Sequence, residues 1–190
     1  MRFDAVGRGV PLGDTVTITR DVAFPDQPWG AAVGAIVTAE GASAFLDLIE
    51  SGGVAKLKCP ADRTGGYSGL LLPAVDYLQA MRLRKPMREA MRKMFESYDV
   101  IASPTRGTVA YPIGDFANAY PGISSGPSLI AAGNLTGLPA LAMPTGFGEN
   151  GLPTSMTFMG APFSEATLCS LGAAYQARSD WHRRHPEAFA

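Results

Sequence analysis

Two short apolar runs, each fenced by Gly and Pro, dominate the hydrophobic pattern of the C-terminal third. Ala140-Leu-Ala-Met143 is apolar at every position, the pattern of a strand with both faces buried. A longer run, Thr154 to Met159, includes Met156, Thr157 and Phe158. The polar turn Phe147-Gly-Glu-Asn150 joins the two. The pair predicts two buried strands at the centre of a sheet, with the rest of the chain packed around them.

Upstream, Val16 and Ile18 alternate with Thr15, Thr17 and Thr19. That alternation predicts a strand over 14–24 with one buried face, ended by Pro25 and Pro28. From 29 to 51 the pattern turns helical, with Ile36, Phe45, Leu46 and Ile49 as core contacts and Ser51-Gly-Gly53 as the stop. Residues 52–69 read as loop. A second helix over 70–84 places Val75, Leu78 and Met81 inward, and Pro86 interrupts it. In a third, Met87, Met91, Met94, Phe95 and Tyr98 share one face. Val100-Ile-Ala-Ser103 is a short strand closed by Pro104, followed by a loop over 104–127 rich in Gly, Pro and Tyr. A short helix over 128–134 leads into the first apolar run, and a last helix over 165–182 turns Leu168, Leu171, Ala174 and Tyr175 inward. This order predicts an α/β fold, a mixed β-sheet flanked by helices, in a single unit over 1–190.

Composition narrows the class. With 46% hydrophobic and 17% charged residues, the chain has material for a sizeable core and is not disordered by composition. A net charge of −1 gives no global attraction for nucleic acid or an acidic membrane surface. No apolar run approaches the ~20 residues of a spanning helix, and the N-terminus has no signal-peptide apolar core. Cys59 and Cys169 form no disulfide framework and fit a reducing, cytoplasmic setting.

Several motifs then fall into place together. Asn134-x2-Gly137-x-Pro139-Ala140, Met143-Pro144-x-Gly146, Gly151-Leu-Pro153 and Gly160 resemble the C-terminal part of the amidase signature enzymes. Ala39-Glu40-Gly41-Ala42-Ser43, Asp76-Tyr77-x2-Ala80-x3-Arg84, Asp99-Val-Ile-x2-Pro104-Thr105, and Trp181 with Pro186 extend the resemblance in order along nearly the whole chain. The resemblance implies an amide hydrolase working through a serine nucleophile, a second serine on a cis peptide bond and a lysine. Those three lie in an N-terminal half that the resemblance places outside this chain. It therefore implies the C-terminal portion of an amidase, inactive alone, with no catalytic residue of its own. Its partners would be an N-terminal amidase half or a second copy, and its substrate, once completed, a small-molecule amide. The alternatives are a split-enzyme subunit completed by a second chain, and a non-catalytic binding or scaffold module with the same fold.

Plainer roles compete for the remaining candidates. Ser124-Ser125-Gly126 has no lysine nearby to serve as base, and the four lysines, Lys56, Lys58, Lys85 and Lys93, all sit in polar or basic stretches. His182 and His185 lie in a charged tail; no Cys/His cluster or Gly-x-Ser-x-Gly accompanies them, so neither a metal nor another cofactor is expected. Arg82, Arg84, Lys85, Arg88, Arg92 and Lys93 put six of the 16 basic residues within twelve positions. Without interleaved stacking aromatics, this is a solvated helix face, and nucleic acid is not expected as a partner. The resemblance places Arg63 where some members hold a substrate carboxylate. It also places Tyr111, Phe116 and Tyr120 in the loop that would set specificity. Asn134, Gly137, Pro139, Pro144, Gly146, Gly151, Pro153 and Gly160 are expected to be structural, with Asn134 bracing the turn at Gly137.

Overall fold

The computed structural model describes residues 2–3, 16–60, 62–106, 109–112 and 129–185. The N-terminal part runs β1 (Arg2–Phe3), β2 (Val22–Ala23), α1 (Trp29–Ala44), α2 (Leu46–Glu50), α3 (Asp62–Leu70) and α4 (Ala74–Met94). The C-terminal part runs β3 (Val100–Pro104), α5 (Leu129–Thr136), β4 (Ala140–Phe147), β5 (Pro153–Gly160) and α6 (Glu165–Gln176). β1 and β2 pair antiparallel, and β3, β5 and β4 form a three-stranded antiparallel sheet in that order.

Alternation along β5 sets the layers. Met159 lies opposite Ile101 and Ala140, while Phe158 lies opposite Ala102 and Leu141. Successive residues of a strand face opposite ways, so these two neighbours serve two cores. Met159 and Ile101 pack with Trp29 and Ile36 of α1, Met87 and Met91 of α4 and Leu135 of α5. Phe158 and Met143 pack with Leu168 and Tyr175 of α6. Among the described residues the sheet is thus covered by three helices on one face and one helix on the other, the expected α/β arrangement. Trp29 anchors the larger core: it is 2% exposed, and its indole N–H donates to the Pro25 carbonyl at 3.0 Å.

The hairpin that joins β4 to β5 explains the signature residues. Pro144 cannot donate to a ladder and lies on a flanking strand, at a register shift between Pro144 and Gly146. Asn150 and Gly151 adopt left-handed φ of 56° and 68° in the connection, and Pro153 opens β5. The expectation that both strands are central is corrected here. Among the described residues only β5 has a partner on each side; β4 flanks it, with Ala140 and Ala142 exposed. An apolar run of four residues does not by itself distinguish a covered strand from one whose small side chains lie near the surface.

Other expectations shift for identifiable reasons. Over 14–24, among the described residues only Val22–Ala23 pairs, and Val16 and Ile18 are 38% and 47% exposed. Alternation supplies a face, but a strand also needs a neighbour for its main-chain groups. The helix expected over 29–51 breaks at Phe45, which with Leu46 is exposed, while Ile36 and Ile49 are buried as expected. Gly52, at φ 68°, ends that region.

The expected loop over 52–69 contains a short 3-10 turn (Gly53–Lys56) and α3. Gly66 and Gly69 do not mark a loop; they permit close packing. A Cβ on Gly69 would lie 2.4 Å from the Ala42 Cβ and 2.5 Å from the Thr38 carbonyl oxygen, so α3 crosses α1 almost backbone to backbone.

α4 runs unbroken through Pro86, whose side lies exposed, so the carbonyl it leaves unbonded is open to water. Burial of Ala80, Met87 and Met91 on the opposite side outweighs that cost, and Val75 and Leu78, expected inward, point out at 57% and 50% exposure.

Two glycine substitutions separate these effects. Gly69→Ala is expected to destabilise the chain by about 1–3 kcal/mol through overpacking. Gly34→Ala, at a position of α1 with open space around it, is expected to be neutral or stabilising by up to about 1 kcal/mol. Chemical denaturation of both variants checks the contrast.

Candidate functional site

The junction of α5 with β4 concentrates the signature. α5 ends at Thr136, and Gly137 turns left-handed at φ 73°. The Gly137 and Leu138 amides both donate to the Gly133 carbonyl, at 2.8 and 3.1 Å, closing the helix end. Asn134 is exposed and lines a cleft beside this turn. Gly160 N–H donates to the Pro139 carbonyl at 3.2 Å, fastening the end of β5 to the start of β4.

Arg84 reaches in from α4. Its Nε donates to the Leu135 carbonyl at 2.9 Å, supplying a donor and a positive charge to the C-terminal end of α5. A second long-range tie runs from the Tyr77 hydroxyl to the Glu40 carboxylate at 3.1 Å, joining α4 to α1. That bond holds the Tyr77 phenol above its ordinary pKa. Both ties involve residues that carried the family resemblance.

The cleft itself lies between α5 and the sheet. It has a volume of about 180 Å³ and is walled by Ile130, Gly133, Asn134 and Leu138, with Ala140, Ala142, Thr157 and Met159 as its floor. Thr157 is 5% exposed, and its hydroxyl lies 2.8 Å from that of Thr105. The Thr105 amide donates to the Ser155 carbonyl at 3.0 Å, which carries the β3–β5 pairing one residue further and sets the two hydroxyls side by side. Periodicity in the sequence gave no sign of this pair, because it depends on register.

The sequence candidates do not gather at this cleft. Arg63, near the start of α3, is exposed; its Nε donates to the Leu57 carbonyl at 2.7 Å and its Nη2 to the Lys58 carbonyl at 3.4 Å. It holds its own turn and does not line the cleft. Tyr111 is half-buried, and Phe116, Tyr120, Ser124, Ser125 and Pro186 lie outside the described residues.

The basic stretch of α4 resolves into a mixed face. Arg92 bridges Glu89 at 2.8 Å and also pairs with Glu96. These bonds lower the Glu89 pKa and raise that of Arg92. Arg82, Lys85, Arg88 and Lys93 are exposed, and Arg84 is turned inward. Trp181 packs edge-on against Phe147 at 5.8 Å and carries the Arg184 guanidinium over its ring at 4.5 Å, so the C-terminal segment pins the end of β4. Among the described residues no group of His, Cys, Asp and Glu is arranged to hold a metal, and no helix is long and apolar enough to cross a membrane.

Removing the guanidinium at Arg84 tests the α4–α5 joint. Arg84→Met is expected to lower unfolding stability by about 1–3 kcal/mol, since a charged donor to a half-buried carbonyl is lost. Arg84→Lys should recover part of it by keeping a cation at the helix end. Denaturant midpoints of the two variants measure the difference.

Comparison with known proteins bears on the same region. The family model described as Amidase matches residues 57–169, more than half of the chain. An amidase from Pseudomonas putida is 37% identical over 125 residues, covering 63% of this chain and 27% of that protein. A glutamyl-tRNA(Gln) amidotransferase subunit from Moorella thermoacetica is 38% identical over 111 residues, covering 58% of this chain and 23% of that protein. The chain thus spans about a quarter of the length of these curated relatives. A crystal structure of an amidase superposes with a TM-score of 0.69 over 84% of this chain and 37% of the other, at 24% identity, a likeness of fold. The signature turn, the Arg84 joint and the family match coincide on one stretch, and the chain belongs to the amidase family.

Proposed function

We propose that this chain is the C-terminal portion of an amidase-family hydrolase of carbon–nitrogen bonds, that it forms one wall of the substrate pocket, and that it does not hydrolyse amides alone. The observation that carries this reading is the match over 57–169 alongside coverage of only 27% of the Pseudomonas putida amidase. Two structural features support it. All four lysines are exposed, and a lysine base needs burial or a neighbouring cation to lower its pKa. The outer edges of β3 and β4 pair with no strand among the described residues, and Leu71, Val37 and Val75 are 83%, 60% and 57% exposed. Open edges and exposed apolar side chains invite a cover.

A second reading, a split enzyme completed by another chain, is supported by the relative named as one subunit of an amidotransferase. In either case the substrate is a small amide and the complementary half carries the nucleophile.

Purified chain is expected to show no hydrolysis of a simple aliphatic or aryl amide. Addition of a separate chain carrying the Gly/Ser-rich and Lys-containing segments of a family member should restore it. Hydrolysis by the chain alone that persists through repurification would sink the proposal. Size-exclusion chromatography with light scattering should show self-association or aggregation of the isolated chain. A stable, cooperatively unfolding monomer would instead favour a binding or scaffold module.

A further inference from the structure

Phe163 is 95% exposed, more than any other large apolar side chain among the described residues. It sits in the turn Ala161-Pro-Phe-Ser164, between β5 and α6. Its backbone is left-handed, at φ 64°. A bulky residue rarely occupies that region, which Asn and Gly enter with little strain. The turn is well fastened: the Ser164 amide and hydroxyl both donate to the Ala161 carbonyl, at 3.1 and 2.7 Å. A Cβ on Gly160 would collide with that hydroxyl, so the start of α6 lies tight against the end of β5. The chain therefore holds an aromatic ring out in water on a firm base and gains no burial from it.

The same chain carries a hollow of matching size. The cleft between α5 and the sheet has a volume of about 180 Å³ and a floor of Ala140, Ala142 and Met159. Engineered cavities of about 150 Å³ take up benzene, so a phenyl ring fits. A chain's own Phe163 does not fill it: the cleft lies on the face that α5 covers, and the Phe163 turn leads to α6 on the other face. Neither surface is charged. Ala161 to Ser164 are all neutral, as are the residues that line the cleft. Docking one into the other strands no ion away from water.

We propose that Phe163 of one copy docks in the α5–sheet cleft of another, a weak head-to-tail contact through which this chain associates with itself. The area involved sets the strength. A buried aromatic side chain contributes about 150–250 Å², against about 800 Å² per partner in a stable dimer. The contact is therefore weak, with a dissociation constant of about 1 mM. Ring and cleft are different surfaces, so each docking leaves one free ring and one free cleft at the ends, and assemblies grow with concentration. This self-association does not depend on the hydrolase reading above.

The test follows the Met159 and Ala140 methyl groups of the 190-residue chain by NMR across a dilution series. Their signals are expected to move with concentration. Phe163→Asn removes the ring and keeps a residue suited to the left-handed turn. Ala142→Leu fills the cleft from an exposed position on β4, and Ala140→Leu, followed at Met159, is a second filled form. Each variant alone should weaken the concentration dependence at least tenfold. Labelled Phe163→Asn mixed with unlabelled Ala142→Leu brings an empty cleft and a free ring together. The methyl shifts should return in that mixture and saturate at one ring per cleft, with no assembly beyond a pair. An unlabelled chain carrying both Phe163→Asn and Ala142→Leu should give no shift. Methyl signals that ignore concentration in the unsubstituted chain, shifts that persist in Phe163→Asn alone, or a mixture that fails to restore them would each overturn the proposal.

Discussion

Adjacent side chains on β5 bear the structure. Phe158 and Met159, 3% and 1% exposed, point to opposite faces of the sheet and sit in separate cores. A strand committed in this way cannot slip by one residue without exchanging its faces. Its register against β4 and β3 is therefore tightly specified. The left-handed turn at Asn150 and Gly151 and the irregularity at Pro144 and Gly146 are the local geometry that delivers β4 to that register. The Thr105–Thr157 pair and the floor of the cleft are consequences of the same alignment.

The landmarks that carried the family resemblance turn out to be joints. Glu40 meets Tyr77 between α1 and α4, and Arg84 meets the last turn of α5. Gly137 closes that turn, and the Pro139 carbonyl receives Gly160. Apart from the local closure at Gly137, these contacts are long-range in sequence and fixed by geometry, which is why several weak motifs combine into a specific pattern. Together they set α5 against the sheet and place the cleft between the two.

The sequence alone determined the elements that follow from local chemistry. Helix within 29–51, though broken at Phe45, and over 165–176, the strand at Val100, the β4–β5 pair and the family itself were legible, because periodicity, turn residues and motif spacing are written along the chain. Tertiary structure decided where one pattern competed with another. In α4 the inward stripe is Tyr77, Ala80, Arg84, Met87 and Met91, spaced three and four apart. Two of its members have polar ends, so the more apolar Val75 and Leu78 dominate the sequence pattern instead. In α3, Gly66 and Gly69 resemble loop residues until Ile49 of α2 and Ala42 of α1 are packed against them, when their missing side chains become the reason for the contact. β4 resembles a central strand because its alanines are apolar, but whether an apolar run is covered depends on what lies beside it. The candidate site was the least legible part. Asn134, Ala142 and Thr157 come from three separate elements and Thr105 from the residue after β3, and only pairing register and helix docking bring them together.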